Sequence, residues 1–202
     1  MRSVFLAFLT FALAGCATSR GAAPVASDWR AVATESDRER LRDWRGGFAR
    51  AVAKARAAGH GAAIDAERRL LMPDAAVGGA LPNGDYRCRI IKLGAQGGGL
   101  LDFIAYPGFA CRVTQEGGLQ YFAKLSGSQR PMGRIYPADA MRSVFLGVLV
   151  LGDEARPMRY GSDPERGLAG WVERIEDRRW RMVLPAPKFE SLTDVIELIP
   201  AT

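Results

Sequence analysis

The chain of 202 residues holds few of the side chains that nucleophilic or metal chemistry requires. Its single histidine, His60, stands between Gly59 and Gly61. A Ser-His-Asp or Cys-His arrangement would have to use that residue. The flanking glycines place it on a loop at a helix boundary, where a surface role fits better than a catalytic one. No second cysteine or histidine stands at zinc-ligand spacing beside Cys88 or Cys111, so no metal site is expected. Gly94 to Gly99 has no Lys-Ser/Thr after it and reads as a flexible hairpin turn, not a phosphate cradle. The acid pairs Asp153-Glu154 and Glu176-Asp177 could serve a glycosidase in principle, but adjacent acids on turns read more simply as solvated. Neither a cofactor nor a catalytic residue is assigned.

The best candidate for ligand contact is Ser126-Gly127-Ser128-Gln129-Arg130-Pro131. Glycine and proline here predict an unusual backbone path. Ser128 and Gln129 offer neutral hydrogen bonds, and Arg130 offers a two-pronged donor for carboxylate or phosphate. The competing reading pairs Arg130 with Asp163 or Glu173 and locks two loops together. Arg159, Tyr160 and Asp163 form a second polar cluster in a Gly/Pro-rich loop.

Cysteine usage and the first residues give an address. Arg2 is followed by an apolar run from Val4 to Ala14, the length of a signal-peptide core and too short to span a membrane, which takes roughly 20 apolar residues. Leu13-Ala14-Gly15-Cys16 reads as a lipobox. The expectation is a signal peptide over residues 1–15, a lipid such as palmitate on Cys16, and a small, polar tether over 16–27. Ala17 follows Cys16 where an aspartate would retain the protein in the inner membrane, so the outer membrane facing the periplasm is expected. Export to an oxidising compartment then predicts a Cys88–Cys111 disulfide, the alternative being two buried free thiols. The formal net charge of +6 is spread over the whole chain, with no basic run interleaved with aromatics, so nucleic acid is not an expected partner.

The elements that would position these residues divide near residue 80. Over 28–80 the pattern is helical: Ser36 with Glu39 makes a capping box, Leu41, Trp44, Phe48, Val52 and Ala55 form one apolar stripe, Gly59 stops it, and Ile64 to Leu71 makes a shorter helix ended by Pro73. Over 81–202 the period is nearer two. Strands are predicted at 85–93, 100–106, 109–114, 119–125, 143–151, 170–175, 178–184 and 193–199, with Glu176-Asp177 as a hairpin turn. The fold class is α+β: N-terminal helices packed on an antiparallel β-barrel or sandwich of about eight strands, the two parts forming one domain.

Gly84-Asp85-Tyr86-Arg87-Cys88-Arg89, Lys124 to Pro131, Phe145-Leu146-Gly147, Arg159-Tyr160-Gly161 and Trp180 to Pro185 resemble domain of unknown function 4893, a group of exported bacterial proteins, from about residue 30 to the end. The resemblance implies no activity. An eight-stranded barrel with a disulfide near its first strands is also similar in outline to periplasmic metalloprotease inhibitors, an analogy of architecture that transfers no residues. The leading expectation is a non-enzymatic, lipid-anchored envelope protein that binds a protein, a glycan or an anionic small molecule. A periplasmic protease inhibitor or regulator comes second, and an enzyme built on carboxylates and arginine third.

Overall fold

The computed structural model describes residues 27–152 and 154–201; the lipobox at Cys16 and its flanks lie outside the described residues. The N-terminal layer holds α1 (Trp29–Val32), α2 (Glu35–Arg42), α3 (Trp44–Ala55) and α4 (Gly61–Ala66), followed by a 3-10 turn over Arg68–Leu71. The cap of α2 is Thr34, not Ser36. Thr34 is extended and its side chain accepts from the Asp37 N–H at 3.2 Å, so Ser36 lies already inside the first turn. The apolar stripe also divides. Asp43 leaves the helical conformation (φ −89°, ψ 9°) and separates α2 from α3. Leu41 therefore packs with Trp29, Val144 and Leu146, while Trp44, Phe48, Ala51 and Ala55 pack on Ile91, Leu93, Val183 and Val195. The helix continues past Ala55 as a π-helical turn over Arg56–His60, and Gly59 within it breaks the helical conformation at φ +92°.

Nine strands follow: β1 (Gly84–Ala95), β2 (Phe103–Ala105), β3 (Phe109–Glu116), β4 (Leu119–Lys124), β5 (Gln129–Pro137), β6 (Arg142–Leu151), β7 (Gly167–Glu176), β8 (Arg179–Pro185) and β9 (Ser191–Pro200). Eight of them, β1 and β3 to β9, form a closed antiparallel barrel, each pairing with the next and β9 returning to β1 from Tyr86↔Pro200 to Ala95↔Ser191. Closure removes the open edges that a sheet would otherwise expose. β1 is long enough to hold two partners on its other edge, β3 over Gly84 to Cys88 and β2 over Ile91 to Leu93.

Alternation sorts the side chains. Tyr86, Cys88 and Ile90 of β1 face inward with Phe122, Phe145, Leu149, Trp180, Met182, Ile196 and Leu198, whereas Ile91 and Leu93 face the helices. Phe122 and Phe145 meet edge to face, centroids 5.9 Å apart. The floor of the barrel is stoppered by Leu81, which joins the interior cluster. Gln120 donates to the Leu81 carbonyl (2.7 Å) and Tyr86 to that of Pro82 (2.6 Å), fixing the segment. Cys88 and Cys111 are disulfide-bonded, Cα atoms 6.0 Å apart, tying β1 to β3.

Several sequence expectations are corrected here. β5 was not predicted, because Pro131, Gly133 and Pro137 disguise it. Yet Gly133 is the residue this strand needs, since it stands opposite Gly147 of β6 and an added Cβ would lie 2.3 Å from the Gly147 Cα. The strand expected over 100–106 is limited to Phe103–Ala105. The β7–β8 turn falls at Asp177-Arg178, one residue later than expected, with Arg178 at φ +50°.

One fully buried ion pair fastens the helical layer to the barrel wall. Arg181 points outward from β8 and is 0% exposed. It donates from Nη2 to Glu173 Oε2 at 2.6 Å, and to the carbonyls of Leu70, Met72 and Pro73 at 2.8, 2.6 and 3.1 Å. Arg142 adds a second cation on Glu173 (2.5 Å). The guanidinium thus satisfies the carbonyl groups that the 3-10 turn and the residues after it leave without partners.

Candidate functional site

At the end where β4 stops and β5 and β9 begin, the barrel interior turns from apolar to charged. Along β1 the inward series Tyr86, Cys88, Ile90 continues as Lys92. Along β4 Phe122 is followed by Lys124, and along β9 Ile196 is preceded by Asp194. All three polar groups are buried, Lys92 at 5% exposure and Lys124 at 2%. They stand at the mouth because alternation carries them inward on strands whose other inward residues fill the core.

The two lysines differ. Lys92 Nζ lies 3.0 Å from Asp194 Oδ2 and 3.2 Å from Glu190 Oε2. Burial opposes its charge, but Asp194 and Glu190 outweigh that and raise its pKa. Ser191 donates to the other oxygen of Asp194, and Gln129 Nε2 reaches Glu190 Oε1 at 3.4 Å. Lys124 makes no carboxylate contact within ion-pair distance among the described residues. Its Nζ donates to the carbonyls of Ser126 (2.6 Å) and Gln129 (2.8 Å) and sits 3.7 Å from the centre of the Phe109 ring. Burial, and then the nearby charges of Arg130 and Lys92, push its pKa down to about 8.

Lys92, Lys124 and Glu190 line an open cleft of about 280 Å³ with Ile90, Tyr106, Phe109, Gly127, Ser128 and Gln129. Below it the barrel is packed, with about 20 Å³ of free space between Lys92, Leu149, Leu168 and Leu184. A larger opening of about 460 Å³ lies at the floor, around Leu81, Gln115 and Ser143. It gathers no buried charge, and the mouth is therefore the better candidate despite its smaller volume.

Ser128 and Gln129 line the mouth, while Arg130 is turned to the outer side. It donates to the carbonyls of Gly127 (3.2 Å), Gly152 (2.6 Å) and Glu154 (2.7 Å). Both partners considered for it from sequence are engaged elsewhere: Glu173 by Arg142 and Arg181, and Asp163 Oδ1 by the Glu165 N–H at 2.9 Å. Arg130 instead straps the β4–β5 turn to the loop after β6. Tyr160 lies on the outer wall, where its hydroxyl donates to Asp37 and accepts the Thr34 N–H at 3.2 Å. Tyr160 and Asp163 border a groove of about 180 Å³ with Thr34 and Arg40, away from Ser128 and Gln129; Arg159 is exposed. His60 stacks on Phe103, centroids 5.6 Å apart. Glu154 is bound by Arg166 and Glu176 by Arg179 at 3.1 Å, so both act as loop and hairpin ties.

Lys92, Lys124, Glu190 and Asp194 were not singled out from sequence, although a signal existed. The chain has 24 arginines and only four lysines, and two of the four occupy inward-facing positions. Arginine cannot lose its proton under ordinary conditions, whereas a buried lysine can.

Comparison with characterised proteins and with solved structures finds no match. A family model does match, over residues 29–198, and so takes in α1, all of the barrel wall but the last two residues of β9, and the mouth residues. The chain belongs to the family described as a domain of unknown function, DUF4893.

Proposed function

We propose that the protein is a non-enzymatic binding module of the bacterial cell envelope, held to a membrane by lipid on Cys16. Its ligand end is the barrel mouth. The observation that carries this reading is the packing of the interior below a cleft that concentrates Lys92, Lys124, Gln129, Ser128 and Glu190. A filled barrel holds no buried guest, so recognition falls to its ends. Tyr106, Phe109 and Ile90 supply an apolar wall and Lys124 supplies a cation without a carboxylate, which fits a small ligand with an anionic or strongly polar head on an apolar body.

Thermal unfolding of the mature protein against carboxylates, phosphates, sulfates and oxo acids tests the site. Saturation at a hundred times Kd adds about 2.7 kcal/mol of stability. One class should raise the melting temperature of the wild type and not of Lys124→Met. A flat response to all classes refutes the mouth as a ligand site. The anchor is tested by fractionating cells that express Cys16→Ser: the variant should leave the membrane fraction, and unchanged acylation would refute lipidation at this residue.

A further inference from the structure

We propose that Lys124 captures small carbonyl compounds at the barrel mouth as a reversible imine. The inference rests on the mouth being the ligand end and adds the chemistry of the capture. The geometry is that of an amine held at the base of a cleft with no carboxylate within ion-pair distance among the described residues. Two carbonyl oxygens and the face of Phe109 fix Nζ in place. The β4–β5 turn lies directly over it: a Cβ on Gly127 (φ +86°) would come within 2.7 Å of Nζ and 3.1 Å of the Phe109 ring. Arg130 holds that turn by its bond to the Gly127 carbonyl and adds positive charge nearby. Lys92 stands nearby as a second cation, held charged by its ion pairs with Asp194 and Glu190.

Desolvation beside like charges is a recognised way to prepare a lysine as a nucleophile. Arginine at this position would fill the same role toward the two carbonyls and could not react. The step is balanced without any further reagent. The free amine lone pair adds to the carbonyl carbon, the carbonyl π pair moves to oxygen, and oxygen takes a proton. Nitrogen then gives up one proton, the hydroxyl leaves as water after protonation, the C=N bond forms as the protonated imine, and nitrogen returns the second proton to solvent. Aldehyde plus amine thus gives imine plus water, with protons exchanged at the open rim.

With its pKa at about 8, roughly a quarter of Lys124 is free amine at pH 7.5, against roughly 0.1% for an ordinary lysine. Lower basicity and restricted access reduce the advantage, and labelling at least about tenfold faster than at an exposed lysine is expected. The experiment treats folded wild-type protein with acetaldehyde or glyoxylate and cyanoborohydride, then locates adducts by peptide mass spectrometry. Lys124 should be modified at least about tenfold faster than the half-exposed Lys54 and Lys188, with a pH midpoint near 8 that disappears in urea. Labelling of Lys124 no faster than of Lys188 overturns the proposal. An anion-induced thermal shift that persists without a Lys124 adduct overturns imine capture alone. Loss of both removes the mouth as the binding end.

Discussion

Arg181→Met should be among the most damaging single substitutions in the protein. The guanidinium is 0% exposed and makes six hydrogen bonds, two to Glu173 and four to the carbonyls of Arg69, Leu70, Met72 and Pro73. Methionine fills much of the volume and removes every donor. Breaking one side of a buried pair costs about 3–5 kcal/mol. Arg142 still neutralises Glu173, which pulls the figure down, while the orphaned carbonyls of the 3-10 turn push it up by about 1 kcal/mol each where water cannot reach them. Met72 is 54% exposed, so its carbonyl region rehydrates most readily. The net expectation is about 4 kcal/mol in urea unfolding followed by tryptophan fluorescence. Adding Glu173→Gln should return roughly 1–2 kcal/mol, because a neutral amide needs one cation fewer. Amide exchange should accelerate first in α3 and Arg68–Leu71, the elements that this pair holds down. A loss below about 1 kcal/mol, or exchange that accelerates uniformly through the barrel, would refute the assignment of Arg181 as the fastener of the helical layer.

Three other outcomes follow from the same structure. Lys124 has a folded pKa of about 8, below its unfolded value, so between those values the unfolded chain binds more protons and stability should rise with pH; the gain is at most about 3 kcal/mol and should be absent in Lys124→Met when both are unfolded in urea from pH 7.5 to 9.5. Replacing both Cys88 and Cys111 by alanine releases a loop closed over a separation of 23 residues and should cost about 3 kcal/mol in the chain-entropy account; an unchanged denaturation midpoint would contradict it. Gly133→Ala drives a Cβ into the Gly147 backbone at 2.3 Å and should cost about 3 kcal/mol by forcing β5 and β6 apart, whereas a neutral effect would show that the two strands separate freely.

The parts of the fold that a sequence displays best are those where one periodicity governs a whole element. β1 alternates apolar and charged residues from Tyr86 to Ile90, and Trp44, Phe48 and Ala55 recur at helical spacing; both patterns match elements of the structure. β5 fails the same reading because two of its inward positions are Pro131 and Gly133 rather than apolar strand formers like Ile135, and Gly133 answers a close backbone approach to β6 that no local pattern encodes. Thr34 and Ser36 are equivalent caps by residue type, and the choice between them depends in part on Tyr160, 126 residues away, which accepts the Thr34 N–H. The mouth was partly legible. The glycine and proline around Ser128 and Gln129 mark an unusual backbone path, but nothing local marks Lys92 and Lys124, because a lysine inside a strand normally reads as an outward residue. The three carbonyl partners of Arg130 come from turns that are adjacent only after β5 pairs with β6.

The return of β9 to β1 also sets the order in which the chain can assemble. The two strands are about a hundred residues apart along the chain, with Arg89 opposite Glu197. Contacts of such separation form late, since the intervening chain must first be ordered. The hairpins from β3 through β8 are each local and can pair as they emerge, and the Cys88–Cys111 bond can join β1 to β3 before β9 is made. Until Ser191–Pro200 arrives, however, β1 and β8 both present unsatisfied edges, the state most open to pairing with another chain. A version shortened before β9 should therefore aggregate during refolding, and the last strand acts as the latch on a sheet otherwise complete.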